Sequence, residues 1–366
     1  MRGRDPHLRF LAACLSGCLE EAAICQSSPH WNWETLVAVA SAEYVLSGVY
    51  RLVQQLDQTS SLTPDVLDVL QTVESLNARR NEIILSQIRE LGAAFNSAGI
   101  EPVVLKGLAH LLSGLYPDKS FRFLIDIDLL VPESDLLKAV GILERLGYRG
   151  DKPDAIELEV NHSYTPLFRA GAVTVDLHHR LGRRVSRVIL PEAEVLRDSG
   201  VCEFEGVRLR IPTPQHLMIH HIIHSQLHDS YRDRLWPPLR TMYDFVVLQR
   251  SFAQQLDWED VEARFRKQNQ LATLTMYILR VEEVLGARRP FPVKLRGIAR
   301  LRWQRRRILW DYPALRFLDP WWFLSAGLSA RTEQVREVLR VPGGARYLVR
   351  KFSPAEFFER LKADVS

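Results

Sequence analysis

Residues 124–131 read Leu-Ile-Asp-Ile-Asp-Leu-Leu-Val, an alternation that reads as a half-buried strand. Extended backbone sends successive side chains to opposite faces, so Ile125, Ile127, Leu129 and Val131 share one face while Asp126 and Asp128 point together from the other. Residues 173–178 repeat the device, with Val173, Val175 and Leu177 on one side and Thr174, Asp176 and His178 on the other. A chain with two such strands needs a sheet that buries one face in a core and turns carboxylates toward a site on the other. Asp126 and Asp128, two residues apart on a strand, lie about 7 Å apart in Cα position, close enough to converge on shared cations. Hard divalent cations take carboxylate oxygens, and Asp176 from a neighbouring strand would complete the cage.

The flanking sequence is helical on both sides. Helical spacing predicts one helix through Leu8 to Ile24 and another from Trp33 to about Leu56. A long helix opens at Thr63-Pro64, where Thr63 is an N-cap and Pro64 takes the first helical position. Val66, Leu67, Leu70, Val73, Leu76, Ile83, Ile84, Ile88, Leu91 and Phe95 give it an apolar stripe, and Gly99 stops it. Pro102 to Leu105 then reads as a short buried strand, Lys106-Gly107 as a corner, and Leu108 to Leu115 as a helix. A further helix runs from Ser134 to Gly147. After Ile211, Thr213-Pro214 opens a second helical region with segments at 214–228, 238–250, 258–268 and 271–285. The expected fold class is α+β: an N-terminal helical region (1–98), a small mixed sheet with helices (99–212) and a C-terminal helical region (213–366).

The corner at Lys106 and Gly107 adds phosphate-binding chemistry to the acids. A strand that ends where a helix begins offers backbone N–H groups and a helix N-terminus, and Lys106 adds an ammonium.

Composition narrows the class. Hydrophobic residues make up 46% and charged residues 25% of the 366, average values for a soluble globular chain, and no internal repeat or low-complexity tract interrupts them. Four cysteines form neither a disulfide framework nor a paired zinc pattern, which favours a reducing cytoplasm. Arg2 and Arg4 precede an apolar stretch ending in Leu15-Ser16-Gly17-Cys18, which looks like a lipoprotein cleavage box. That stretch is shorter than a secretory core, and its apolar residues recur at helical spacing, so an amphipathic helix with Cys14 and Cys18 buried is the expectation. No run reaches the ~18 apolar residues of a spanning helix.

Two other features carry functional alternatives. His216, His220, His224 and His228 recur every fourth residue, with His221 beside them and Asp229 and Asp244 downstream. They suggest a zinc face or an HD-type phosphohydrolase. Steps of four drift by about 40° on an α-helix, however, so the four cannot all meet one ion. Contact with substrate or a structural hydrogen bond is the simpler role. Between Arg288 and Arg307 nine basic residues occur with no acid. This stretch reads as a solvated helix face first, and as an RNA-binding or anionic-membrane surface second. Trp303, Trp310, Trp321 and Trp322 are expected to pack the C-terminal helices.

Val104-Leu105-Lys106-Gly107, Leu115-Tyr116-Pro117-Asp118, Arg122, Asp126-Ile127-Asp128-Leu129-Leu130-Val131-Pro132, Leu146-Gly147-Tyr148 and Val175-Asp176-Leu177-His178 together resemble the bacterial uncharacterised nucleotidyltransferases, a branch of the DNA polymerase β superfamily. The likeness extends to the N-terminal helices, to His216–His224, to Leu239–Asp244 and to Asp257-Trp258. It implies a polymerase-β-like core in which Asp126, Asp128 and Asp176 bind Mg²⁺ or Mn²⁺ and act as catalytic acids or base. Lys106 and Gly107 would bind the triphosphate, and Arg122 would make a phosphate or structural contact. His178 and His224 are candidate substrate contacts. Ile125 departs from the family's small residue before the first aspartate. The implied activity is transfer of NMP from an NTP, ATP foremost, to a small molecule, peptide or protein, with release of pyrophosphate. Phosphoryl transfer by the same fold, an HD-like phosphohydrolase and a non-catalytic RNA or membrane adaptor are the competing expectations. Nucleic acid is not the favoured partner.

Overall fold

The computed structural model describes residues 5–312 except 56, 58, 60, 61, 117 and 229–237, together with 315 and 339–342. Arg2, Arg4, Asp229, Trp321 and Trp322, singled out in the sequence, lie outside the described residues.

Five helices precede the sheet: α1 (Pro6–Ser16), α2 (Leu19–Gln26), α3 (Trp33–Ala42), α4 (Leu46–Gln55) and α5 (Pro64–Ser97). Each of the first two expected helices is therefore two. Gly17 ends α1 in the left-handed conformation at φ 77°, and its N–H caps the carbonyls of Ala13 and Cys14. Tyr44 breaks the second, also at positive φ.

The long helix forms as expected but buries a different face. Leu76 and Ile83 are 62% and 47% exposed, whereas Asn77 and Asn81 are buried. The reason is polar. Asn81 Nδ2 donates to the Arg122 carbonyl at 2.9 Å, and Arg80 donates to the carbonyls of Leu124 and Ile125 at 3.0 Å each. Asn77 Nδ2 donates to the Ser120 carbonyl. Irregular backbone at 118–125 thereby finds partners inside the protein, and buried carbonyls must be paired somewhere.

Next come β1 (Val103–Val104), α6 (Lys106–Leu112), β2 (Ile127–Leu130), α7 (Leu136–Arg145), α8 (Ala155–Val160), β3 (Val175–His178), α9 (Arg184–Ile189), α10 (Glu192–Asp198), β4 (Gly200–Phe204) and β5 (Val207–Ile211). The sheet order is β3-β2-β1-β5-β4. β2 pairs parallel with β3 and antiparallel with β1, and β1 pairs parallel with β5. The β4–β5 hairpin was not anticipated. Its strands carry arginine and glutamate among the apolar residues, and β4 is largely solvent-facing, so the alternation is weak. Both acid-bearing strands are shorter than expected. Ile125 is 48% exposed rather than buried beside Ile127, because the backbone before β2 is held by Arg80 and Asn81 and not by a neighbouring strand. The Val173 carbonyl likewise accepts from Gln87, at 2.8 Å.

The C-terminal helices are α11 (Pro214–Ile223), α12 (Leu239–Ser251), α13 (Trp258–Lys267), α14 (Leu271–Leu285) and α15 (Gly297–Asp311). A π-helical turn, His224–His228, continues α11. The expected mixed α+β core between helical regions is thus present. α15 carries much of the basic stretch. Its inner side is fixed by Arg280, whose guanidinium lies 4.9 Å from the ring centres of both Trp303 and Trp310, and by the Arg307–Glu283 ion pair at 2.7 Å. No helix among the described residues is long and apolar enough to cross a membrane.

Candidate active site

Register places the acids. In the parallel β2–β3 pair Asp128 stands directly opposite Asp176, and the flanking pairs Ile127–Val175 and Leu129–Leu177 are buried on the other face. Adjacent strands are about 4.8 Å apart, so two aspartates in register on one face bring their carboxyl groups together. His178, two residues after Asp176, shares that face. Its Nε2 lies 2.9 Å from Asp128 Oδ1 and 3.3 Å from Asp176 Oδ2. Donor atoms of Asp128, Asp176 and His178 all fall within 4.8 Å of one another. Asp126 is outside that tight triple but lines the same cavity, half-buried at the entry to β2.

Lys106 reaches the acids from the β1–α6 corner, its Nζ 2.6 Å from Asp128 Oδ1. Its backbone is left-handed, with φ 51°, a conformation that costs a non-glycine residue about 1–2 kcal/mol. Such strain persists where surrounding structure enforces it, commonly at functional sites. No sequence signal announced it. Gly107 follows where any Cβ would force a neighbour to move: it would lie 2.6 Å from Leu124 Cδ2 and 3.1 Å from Arg122 Nη2.

Arg122 is accordingly beneath the corner. Its Nε and Nη2 donate to Asp244 Oδ1 and Oδ2 at 3.0 and 2.8 Å, a bidentate pair that is almost fully buried. Tyr116 donates to the same carboxylate, and His110 Nδ1 stands 3.6 Å away. Asp244, read from the sequence as an HD-type ligand, is thus engaged by Arg122.

The charges set one another's protonation. Burial pushes Asp126 up, the neighbouring Asp128 and Asp176 push it further against the pull of Lys106, and it reaches about 6. Asp128 is buried too, but Lys106 and His178 overcome that and hold it well below the usual carboxylate range. Burial also opposes the charged form of Asp176, which His178 nonetheless keeps low. His178 is raised: burial works against its charge, and the two carboxylates win.

This donor set fits divalent cations. It is rich in carboxylate oxygen, and Asp176 Oδ1 is buried without a hydrogen-bond partner among the described residues.

A cavity of ≈ 490 Å³ opens over the acids, within the ordinary range of small-molecule pockets. Its far wall is histidine. His220, His224 and His228 all line it, joined by His162. The drift expected of an α-helix is reduced here because the chain widens into the π-turn at His224, and the rings of His224 and His228 stack 5.0 Å apart with 18° between planes. His228 Nε2 and His162 Nε2 are 2.9 Å apart, so one of them must carry a lone pair. Burial, assisted by the nearby Lys106 ammonium, lowers all four histidines, His228 to about 4. His216 does not reach the cavity, whereas His221 lines it and also meets the Tyr277 hydroxyl at 2.8 Å. His162, Ser163, Tyr44 and Arg240 also line the cavity, and sequence reasoning did not find them. They lie in turns or at helix ends with no periodic signal.

The crystal structure of ANT(2'')-Ia in complex with adenylyl-2''-tobramycin is 15% identical, covers 50% of this chain and 96% of its own, and gives a TM-score of 0.35. The solution structure of the antibiotic-resistance factor ANT(2'')-Ia is 15% identical over 54% of this chain and 97% of its own, at 0.36. An antigenic nucleotidyltransferase-like protein from Paracoccidioides brasiliensis is 16% identical over 57% and 94%, at 0.34. At these scores none of the three carries an argument about the site. No curated protein matches the sequence. A family model for uncharacterised nucleotidyltransferases matches residues 29–286, well over half of the chain and all of the sheet. The chain belongs to the uncharacterised nucleotidyltransferase family.

Proposed function

We propose that the protein transfers a nucleoside monophosphate from an NTP, ATP foremost, to a hydroxyl of a small molecule, peptide or protein, and releases pyrophosphate. The reading rests on one juxtaposition: Asp128 and Asp176 face each other across paired strands, beneath Lys106, in a cavity large enough for a nucleotide.

Asp126, Asp128 and Asp176 would hold the divalent cations, Mg²⁺ or Mn²⁺, which supply Lewis-acid stabilisation of phosphoryl oxygens and lower the pKa of an attacking hydroxyl. Lys106 brings a fixed positive charge to the phosphates, and the backbone N–H groups of the corner at Gly107 add donors. Arg122 supports that corner from below, held by Asp244. The acceptor oxygen attacks the α-phosphorus, the bond from that phosphorus to the bridging oxygen of the β-phosphate breaks, and pyrophosphate carries the electron pair away. Asp176 takes the hydroxyl proton. His178 orients Asp128 and Asp176 through its Nε2. His224, with His162 and His228, gives the acceptor an uncharged hydrogen-bonding wall.

ATP labelled separately at the α- and γ-phosphates tests this. Purified protein and Mg²⁺ should place the α-label on an acceptor, or on the protein itself, with pyrophosphate released and the signal lost in Asp128→Asn. Appearance of the γ-label on the acceptor with ADP released would replace nucleotidyl with phosphoryl transfer.

A further inference from the structure

The cavity has a rim that the transfer chemistry leaves unused. Tyr44, in the turn between α3 and α4, lines it 42% exposed, with its backbone left-handed at φ 58°. Glycine or asparagine is the ordinary occupant of such a position, so an aromatic ring there is held against a conformational cost. The hold is visible. Tyr44 N donates to the Ser41 carbonyl at 3.0 Å and Val45 N to Ala40 at 2.9 Å. The preceding Glu43 clamps the turn to the start of α12: its carboxylate accepts from Leu239 N at 2.7 Å and its carbonyl from Arg240 N at 3.3 Å. The clamp brings the Arg240 guanidinium carbon 4.7 Å from the Tyr44 ring centre, and Arg240 lines the cavity as well.

We propose that Tyr44, backed by Arg240, is a stacking platform for the nucleobase of the NTP. This rests on the nucleotidyl-transfer reading. The chemistry favours a base over the other ligands of the pocket. A ring packed against a guanidinium presents its other flat π surface to a ligand. A guanidinium against an aromatic ring adds a cation–π contribution that a neutral planar ligand can extend. The other rings lining the cavity pack on one another: His162 on His228 at 4.2 Å, His224 on His228, His220 on His224, and His110 on His221. A platform of this kind reads the base and ignores the phosphates.

That separation is the test. In the presence of Mg²⁺, calorimetry measures affinity for ATP and for inorganic tripolyphosphate, which has the phosphates and lacks the base. Tyr44→Gly fits the backbone and removes the ring; it should weaken ATP roughly tenfold and leave tripolyphosphate unchanged, while Tyr44→Phe keeps the ATP affinity. Tyr44→Asn, which also tolerates the left-handed conformation, should repeat the glycine result. Equal weakening of both ligands would show a structural turn only, and unchanged ATP affinity in both variants would overturn the platform. Full-length wild-type protein that binds neither ligand would sink the nucleotidyl-transfer reading together with it.

Discussion

Removing the charge of Asp244 is expected to cost far more than an ordinary ion pair. Asp244 and Arg122 are 4% and 7% exposed, and two charge-assisted hydrogen bonds at 3.0 and 2.8 Å join them. Exposed pairs contribute about 0–1 kcal/mol. Breaking a buried pair from one side instead strands an uncompensated charge, at about 3–5 kcal/mol. Asp244→Asn would strand Arg122 and weaken the acceptor of Tyr116, so a loss in that range is predicted, a large fraction of a domain's usual stability of about 5–15 kcal/mol. Arg122→Met should lose a similar amount by leaving Asp244 buried alone. The double variant Arg122→Met/Asp244→Leu holds no stranded charge and should be more stable than the sum of the single losses by about 2 kcal/mol or more. Urea denaturation with two spectroscopic probes measures all three. A loss below about 1 kcal/mol for Asp244→Asn, or additivity within about 0.5 kcal/mol, would refute the claim that this pair fastens the α6 corner to α12.

Further outcomes follow from the site itself. Asp176→Asn should lower α-phosphate transfer by more than about 100-fold, and His178→Gln, which loosens the hold on Asp128 and Asp176, by about 10–100-fold through weaker metal affinity; metal titration alongside transfer assays checks both, and full activity in either would contradict the assignment. Gly107→Ala must displace Leu124 or Arg122, so thermal melts should show a loss of about 1–3 kcal/mol together with reduced triphosphate affinity. His221, held to about 3 by burial, binds a proton in the unfolded chain that it refuses in the folded one between its ordinary pKa near 6.5 and that value. Stability should therefore fall as pH drops through this window, by up to about 1.4 kcal/mol per pH unit from this group. His221→Gln should flatten that slope in denaturation curves taken from pH 7 to pH 4, and an unaltered slope would show that His221 is not the group responsible.

The sequence by itself determined the chemistry and the local elements that carry it. Alternation at 127–130 and 175–178 fixes which side chains share a face, and period two is a property of extended backbone alone. Thr63-Pro64 and Thr213-Pro214 start helices because proline needs no N–H partner in a first turn. Lys106-Gly107 marks a corner for the same local reasons. Tertiary structure decided everything that depends on partners distant in the chain. Asp128 meets Asp176 only because β2 and β3 pair in parallel register. Asn77 and Asn81 point inward, and Leu76 and Ile83 outward, because loop carbonyls forty residues away need donors, a demand that helical periodicity cannot express. Arg122 faces Asp244, and His220, His224 and His228 share a cavity with the acids, because α11 packs on α6 and α12. The strained Tyr44 reaches the same cavity through a clamp to residue 239. Covalent geometry writes the first kind of information into neighbouring residues, whereas the second exists only once the chain has packed.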